Sequence, residues 1–255
     1  MRLKGKKALI TGGTQGIGEA IALRFAAEGA EIGVVASMSL DKAQKVCGRI
    51  KQNGGTAHPF VADVAKPGAI VAMVKQAEKA LGRIDILVNN AGVFYPTKIG
   101  ETSEADYDRM VDINIKGVFF CIDAVAPGMI ARKSGNIINI TSVAGQVGMN
   151  GYSVYCGTKA ALIMMTKALA CELAPSGIRV NAIAPGNTAT PMNLNIRTEP
   201  QYKAMIDYMA MRTPSGRTYS EAEDMAAAAA FLASDESRAM HGATVVLDEG
   251  ISAGL

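Results

Sequence analysis

Lys7-Ala-Leu-Ile-Thr11 and the turn that follows it, Gly12-Gly-Thr-Gln-Gly16-Ile-Gly18, decide the fold. The first run is short, apolar and β-branched at its end, which reads as a buried strand. From Glu19 to Glu28 the apolar residues recur at helical spacing, and Gly29 closes the run. Between strand and helix lies a glycine spacing of Gly-x-x-x-Gly-x-Gly, read from Gly12, Gly16 and Gly18. Bare glycine backbone admits a pyrophosphate, and the helix that follows offers free N–H groups and the positive end of its dipole. A glycine-rich loop alone decides little. Its place between a strand and a helix predicts the first unit of a dinucleotide-binding sheet.

Outward from that unit the alternation repeats. Glu31–Ala36 reads as a strand, 41–52 as a helix ending at Asn53-Gly-Gly55, and Thr56–Ala62 as a strand with Asp63-Val64 at its end. Pro67 opens a helix to Leu81, Gly82 closes it, and Ile84–Val88 is a strand ending in Asn89-Asn-Ala-Gly92. Ser103, with Asp106 three positions on, caps a helix that runs to about Arg132 and passes Asn114. Asn136–Thr141 is a strand, Val154–Leu173 a helix and Ile178–Ala184 a strand leading into Pro185-Gly186-Asn-Thr188-Ala-Thr190. Residues 191–216 lack a clean core pattern, apart from a helical piece near Gln201–Met211, so 187–216 reads as a lid. Ser220-Glu-Ala-Glu223 reads as a capping box opening a last helix, and Ala243–Asp248 as a seventh strand. Six β-α units and a final strand imply an α/β fold in one domain over 1–255. The sheet is parallel, doubly wound and seven-stranded, with helices on both faces.

Ligands of such sheets bind beyond the carboxyl ends of the strands. Gly12–Gly18, Asp63, Asn89–Gly92, Ser142 and Pro185–Thr190 all fall just after strands, and so converge on one edge. There Tyr155 and Lys159, four apart, share a helix face. An ammonium beside a phenol lowers the phenol pKa from about 10, and a tuned Tyr serves as general acid or base. Ser142 at the neighbouring strand end can bond the same substrate oxygen. The plain alternative is an ordinary helix with a surface Tyr and Lys. Asp63 can contact an adenine or cap the next helix. Asn89 and Asn90 can tie strands or bond a ribose, and Asn114 is either a satisfied core amide or a holder of water. At the ribose end Ala36-Ser37-Met38-Ser39 has no acid before Asp41. The usual carboxylate of an NAD enzyme is missing, while Ser37, Ser39 and nearby Lys42 suit a 2′-phosphate. No Arg follows the strand, and Gln15 stands where a base would help. NADP(H) is favoured and NAD(H) stays possible.

The composition is that of an ordinary globular chain, 49% hydrophobic and 19% charged with a net charge of +3. A charge that mild and scattered argues against nucleic acid as partner. Four separated Cys and two His supply no metal-ligand cluster, so no metal is expected. Free thiols, no evident signal peptide and no long uncharged apolar run predict a cytoplasmic protein with no membrane partner.

Together these motifs resemble the short-chain dehydrogenase/reductases in their compact, Rossmann-type form, over essentially the whole chain. The segment from Thr11 through Gly12, Thr14, Gln15, Gly16, Ile17 and Gly18 is similar to the family's cofactor loop. Asp63-Val64 resembles its adenine contact, and Asn89-Asn90-Ala91-Gly92 its central strand motif. Asn114, Ser142, Tyr155 and Lys159 resemble its catalytic tetrad, and Pro185, Gly186, Thr188 and Thr190 its nicotinamide-side motif. The resemblance implies hydride exchange between a nicotinamide and a substrate carbon. Tyr155 would move the proton, and Ser142 would orient the oxygen. Lys159 would lower the Tyr pKa and bond the nicotinamide ribose, Asn114 would hold a water, and Thr190 with the Thr188 backbone would hold the carboxamide. It also implies a small-molecule substrate and a homotetramer. The pattern departs at Asp248-Glu249-Gly250, where Asp-Gly-Gly is commoner. β-Ketoacyl carrier-protein reductases are similar too. Of the two basic positions that dock their carrier, this chain has Lys133 but Ser176, which favours a small alcohol, ketone or polyol. Val93–Thr97, Gln146, Met149, Tyr152 and the lid are the pocket candidates.

Overall fold

The expected strands form β1 (Lys7–Thr11), β2 (Glu31–Ala36), β3 (Thr56–Val61), β4 (Ile86–Asn89), β5 (Gly135–Ile140), β6 (Ile178–Pro185) and β7 (Thr244–Leu247). The computed structural model describes residues 1–253. All seven strands are parallel, in the order β3-β2-β1-β4-β5-β6-β7. Adjacent residues go to opposite faces. Ile10, Val34, Val88 and Ile138 pack into one buried cluster, and Leu9, Val35, Leu87 and Ile137 into the other. A sheet covered on both sides needs apolar residues at every position, so these strands read as runs rather than alternations.

Helices α1 (Gly16–Ala27), α2 (Leu40–Gln52) and α9 (Ala222–Ala233) cover the first face through Ile21, Phe25, Val46 and Met225. Helices α3 (Pro67–Leu81), α5 (Gly117–Arg132) and α6 (Ser153–Leu173) cover the second through Met73, Ile122, Met129 and Leu162. α4 (Glu104–Val111) precedes α5, while α7 (Leu194–Thr198) and α8 (Lys203–Arg212) lie between β6 and α9 and bury no residue. The strand order reverses between β1 and β4, which places the cleft at their carboxyl ends.

Two expectations need adjustment. The helix from Ser103 does run to Arg132, but it is not α-helical throughout. Ser103 does cap it, accepting from Asp106 N at 3.1 Å, but a π-turn over Asp112–Lys116 divides α4 from α5. Gly117 directly after the turn lies so near β3's exit that a Cβ would stand 2.6 Å from Val64 O. Second, the capping box of α9 is Glu221 with Asp224. Ser220 is drawn away, its backbone pairing with residues 187–189 and its hydroxyl donating to Glu249. Glu104–Arg132 is long and apolar enough, by length and composition alone, to cross a membrane. Cys121, Ile122, Val125 and Met129 nonetheless pack in the core against α3 and β5.

Candidate active site

Gly12 and Gly16 have φ of +61° and +53°, where only glycine is unstrained. A Cβ on Gly18 would sit 2.3 Å from Gly12 O and 2.4 Å from Asn90 Nδ2, so the loop closes on itself with no room for a side chain. Gln15 precedes α1 without a side-chain cap, which leaves the first N–H groups of α1 open to an anion. This backbone cradle fits a dinucleotide pyrophosphate. Thr190 stands over it, its Cβ 3.2 Å from where a Cβ on Gly16 would lie. The loops after β1 and β6 are thus brought together as the spacing implied.

Asn89, the last residue of β4, and Asn90 after it both tie strands. Asn89 Nδ2 donates to Asn139 Oδ1 at 2.9 Å, and Asn90 Nδ2 donates to Thr11 O at 3.1 Å and Gly12 O at 2.9 Å. Thr11 Oγ1 accepts from the N–H groups of Asn90 and Ala91, both at 3.1 Å. Asp63 does not cap α3, whose N-cap is Lys66 with no side-chain bond. Its Oδ1 accepts from Ala65 N at 3.1 Å instead, and Val64 beside it is buried. Ser37 and Gln15 are exposed, and Ser39 sits at the N-cap of α2 without a side-chain bond.

On the reaction side, β5 delivers Ser142 to the edge, where its Oγ accepts from Ala144 N at 3.1 Å and donates to Pro185 O at 3.5 Å. The turn 143–145 lies directly on α6, because Gly145 brings its backbone where a Cβ would meet Lys159 C at 2.7 Å. Lys159 is buried, its Nζ 5.7 Å from the Tyr155 ring centroid and donating to Ile140 O at 3.0 Å. Burial pushes this ammonium down to about 8. The expected fall in the Tyr155 pKa is not found. The ring keeps some exposed surface yet lies deep in the cleft, and burial pushes the phenol up to about 12. The hydrogen bond with Ser142 opposes that rise, and adjacent Cys156 adds to it. Loss of water around the phenolate outweighs the help of its neighbours.

Asn114 is a satisfied amide. It accepts from Val93 N at 2.9 Å and donates to Val93 O at 3.0 Å and Thr158 Oγ1 at 3.3 Å. A Cβ on Gly92 would lie 3.3 Å from Asn114 Oδ1 and 3.7 Å from Lys159 Nζ, so the tetrad and the β4 loop occupy one place.

The model of the short chain dehydrogenases matches residues 6–201. The chain belongs to that family. It is thereby an NAD(P)-dependent oxidoreductase. It is 45% identical over 255 residues to the oxidoreductase UcpA of Escherichia coli, covering 98% of this chain and 95% of that one. It is 39% identical over 246 residues to the 3-oxoacyl-[acyl-carrier-protein] reductase FabG of Staphylococcus epidermidis, covering 96% and 98%. Among solved structures, a gluconate 5-dehydrogenase from Burkholderia cenocepacia, in complex with NADP and tartrate, superposes with a TM-score of 0.93. It is 35% identical, with 100% of this chain and 98% of that one covered.

The wall beyond Tyr155 is aromatic. Phe94 stacks on Tyr152, centroids 4.6 Å apart and planes at 4°, and meets Tyr155 edge-on at 4.9 Å. The Asn114 clamp on Val93 fixes one end of this loop, and Thr97 fixes the other, its N–H donating to Gly151 O at 2.7 Å. Burial raises the Tyr152 phenol, as does Tyr202 from the 191–216 segment. The sequence singled out Tyr152 and the 93–97 loop and held Tyr202 only as part of the lid, while the buried Thr166 that holds Asn139 was passed over. A polar cavity of about 350 Å³ lies at the opposite edge, by Asp85, Asn136, Arg179 and His241. Its Arg179 is occupied by the Leu232, Ser234 and Ser237 carbonyls after α9, a structural duty away from the chemistry.

Proposed function

We propose that this dehydrogenase reduces a small ketone, or oxidises the matching secondary alcohol, with NADP(H) as partner. The bound nicotinamide supplies the hydride acceptor and donor. Tyr155 gives or takes the proton at the substrate oxygen, and Ser142 Oγ bonds the same oxygen and steadies its charge. Lys159 sets the polarity around the phenol and bonds the nicotinamide ribose. Asn114 positions the β4 loop, with a water as its further partner. Gly12, Thr14, Gln15, Gly16, Ile17 and Gly18 cradle the pyrophosphate. Asp63 and Val64 take the adenine, Asn90, Ala91 and Gly92 border the ribose, and Pro185, Gly186, Thr188 and Thr190 border the carboxamide. The observation that carries this reading is the meeting of Ser142, Tyr155 and Lys159 beside the glycine cradle.

The ribose end supports NADP over NAD. The Ser39 hydroxyl makes no cap bond, Ser37 is exposed, and no carboxylate stands before Asp41 to repel a 2′-phosphate. The Burkholderia relative binds NADP. The stacked Phe94 and Tyr152 favour a substrate with an apolar group beside its carbonyl, covered by 187–216 as lid. The carrier-protein reading of FabG fits less well, since Ser176 replaces a docking base. Exposed Tyr107, Phe119, Ile130 and Met164 on α4, α5 and α6 are apolar surface for a homotetramer, and free Cys171 on the surface suits a reducing cytoplasm.

Paired fluorescence titrations with NADPH and NADH test the cofactor: tenfold tighter NADPH, about 1.4 kcal/mol, is expected. Tyr155→Phe is expected to lose about three decades of turnover while still binding cofactor. Near-normal turnover would end the proton-transfer assignment.

A further inference from the structure

Glu249 stands at φ +61°, one of two non-glycine residues with positive φ among those described. Glycine is the residue for that conformation, so the side chain is held there by something it does. Its carboxylate collects the chain returning from 191–216. Arg217 donates to it through Nε at 3.1 Å and Nη2 at 2.6 Å, and Ser220 Oγ donates at 2.9 Å. Ser215 joins them through its N–H, which donates to the Glu249 carbonyl at 3.2 Å. The Glu249 side chain is 11% exposed, against 62% for Arg217, so the acid is the fixed half of the pair.

Ser220 passes the grip onward. Its N–H donates to Asn187 O and its carbonyl accepts from Ala189 N, both at 2.9 Å, and it bridges Thr188. One residue further, Thr190 lies over Gly16. The neighbouring Leu247 accepts from Gly186 N at 2.8 Å, so the carboxyl end of β7 holds both limbs of the 186–190 loop.

We propose that Glu249 is a positioning residue: it clamps the return limb of the 191–216 segment and through Ser220 sets the 187–190 loop against the cofactor. The proposal rests on the reading that 187–190 borders the nicotinamide. It touches neither substrate nor cofactor itself.

Glu249→Gly is the test, because glycine accepts this φ and the backbone loses its strain. Trypsin can cut the segment at Arg197, Lys203 and Arg212, and its rate on the cofactor-free protein reports the clamp directly. Glu249→Gly is expected to speed cleavage there and to weaken NADPH binding about tenfold, the size of one charge-assisted bond, with no loss of melting temperature. Glu249→Gln keeps an acceptor for Ser220 and is expected to recover most of the affinity. Ser220→Ala, which leaves residue 249 untouched, is expected to move cleavage and affinity in the same direction by a smaller factor. Unchanged cleavage and unchanged NADPH affinity in Glu249→Gly, whatever happens to melting, would overturn the clamp. So would faster cleavage with full affinity, since the coupling to 187–190 would be absent. Were the unaltered protein to bind neither nicotinamide cofactor, the functional reading would fall, and the cleavage arm would still decide the clamp.

Discussion

Thr166→Val isolates the polar thread that ties the sheet to α6. Thr166 has no exposed surface. Its Oγ1 donates to Leu162 O at 2.8 Å and accepts from Asn139 Nδ2 at 2.9 Å, and Asn139 Oδ1 accepts from Asn89 Nδ2 at 2.9 Å. Valine keeps the shape and removes the hydroxyl, so no cavity opens. The Asn139 amide loses its acceptor in a place water does not reach, and Asn89 Oδ1 nearby is already without a partner. One stranded buried donor costs about 1–3 kcal/mol. At about 2–4 °C per kcal/mol for a chain this long, the melting temperature should fall by roughly 3–10 °C. Thr198→Val is the matched control. That hydroxyl makes the same bond to the residue four back, Leu194 O at 2.8 Å, but on an exposed turn with no second partner. It should change stability by less than about 0.5 kcal/mol. Thermal unfolding of both variants without cofactor, at one protein concentration, makes the comparison. Equal losses would show that the local bond rather than the buried thread carries the energy, and a neutral Thr166→Val would refute the reasoning outright.

Lys159→Met should stabilise the protein at neutral pH while reducing turnover, because it removes an ammonium that burial has pushed from 10.5 to about 8. A depressed Lys pKa destabilises the fold most below pH 8, and the penalty fades between about 8 and 10.5, so the gain of about 1–3 kcal/mol should shrink over that window; a gain that grew with pH would contradict it. Gly18→Ala should abolish tight cofactor binding, since its Cβ would stand 2.3 Å from Gly12 O, and titration with NADPH at unaltered affinity would show that the loop yields. With its phenol at about 12, Tyr155 of the ligand-free protein should give no tyrosinate absorbance below about pH 10, and a tyrosinate band there, missing from Tyr155→Phe, would disprove it.

The strands were legible because each is buried on both faces, and a run such as Ile137-Ile138 serves both clusters at once. The site was legible as position: every candidate loop follows a strand, and a parallel sheet puts all such loops on one edge. Legibility failed where distant parts compete for a residue. Ser220 is a better N-cap by type than Glu221, but Glu249 claims its hydroxyl from 29 positions away. The π-turn escaped because Asp112-Ile-Asn-Ile-Lys116 fits ordinary helical spacing, and only the place of Val93 turns Asn114 inward. The Tyr155 pKa escaped because spacing shows a charged neighbour and says nothing of the water that folding removes. Glu249 was visible as a departure, while its use depended on where the 191–216 segment comes back.

The two shifts at the proposed catalytic pair run in opposite directions from one cause. Burial favours neutral Tyr155 and works against charged Lys159, so the site resists net charge in either partner. On the proposed roles, a phenol that holds its proton near neutral pH is already the acid that a reduction consumes. Oxidation would first require a phenolate in the same buried place, and Lys159, easily neutralised itself, is a weak countercharge for it. Ser142 is the one neighbour that favours the ionised phenol, so on the proposed roles its hydroxyl belongs to the acid as well as to the hold on the substrate. The ribose end points the same way, toward the cofactor with a 2′-phosphate. On the proposed roles, two regions with no residue in common thus favour ketone reduction.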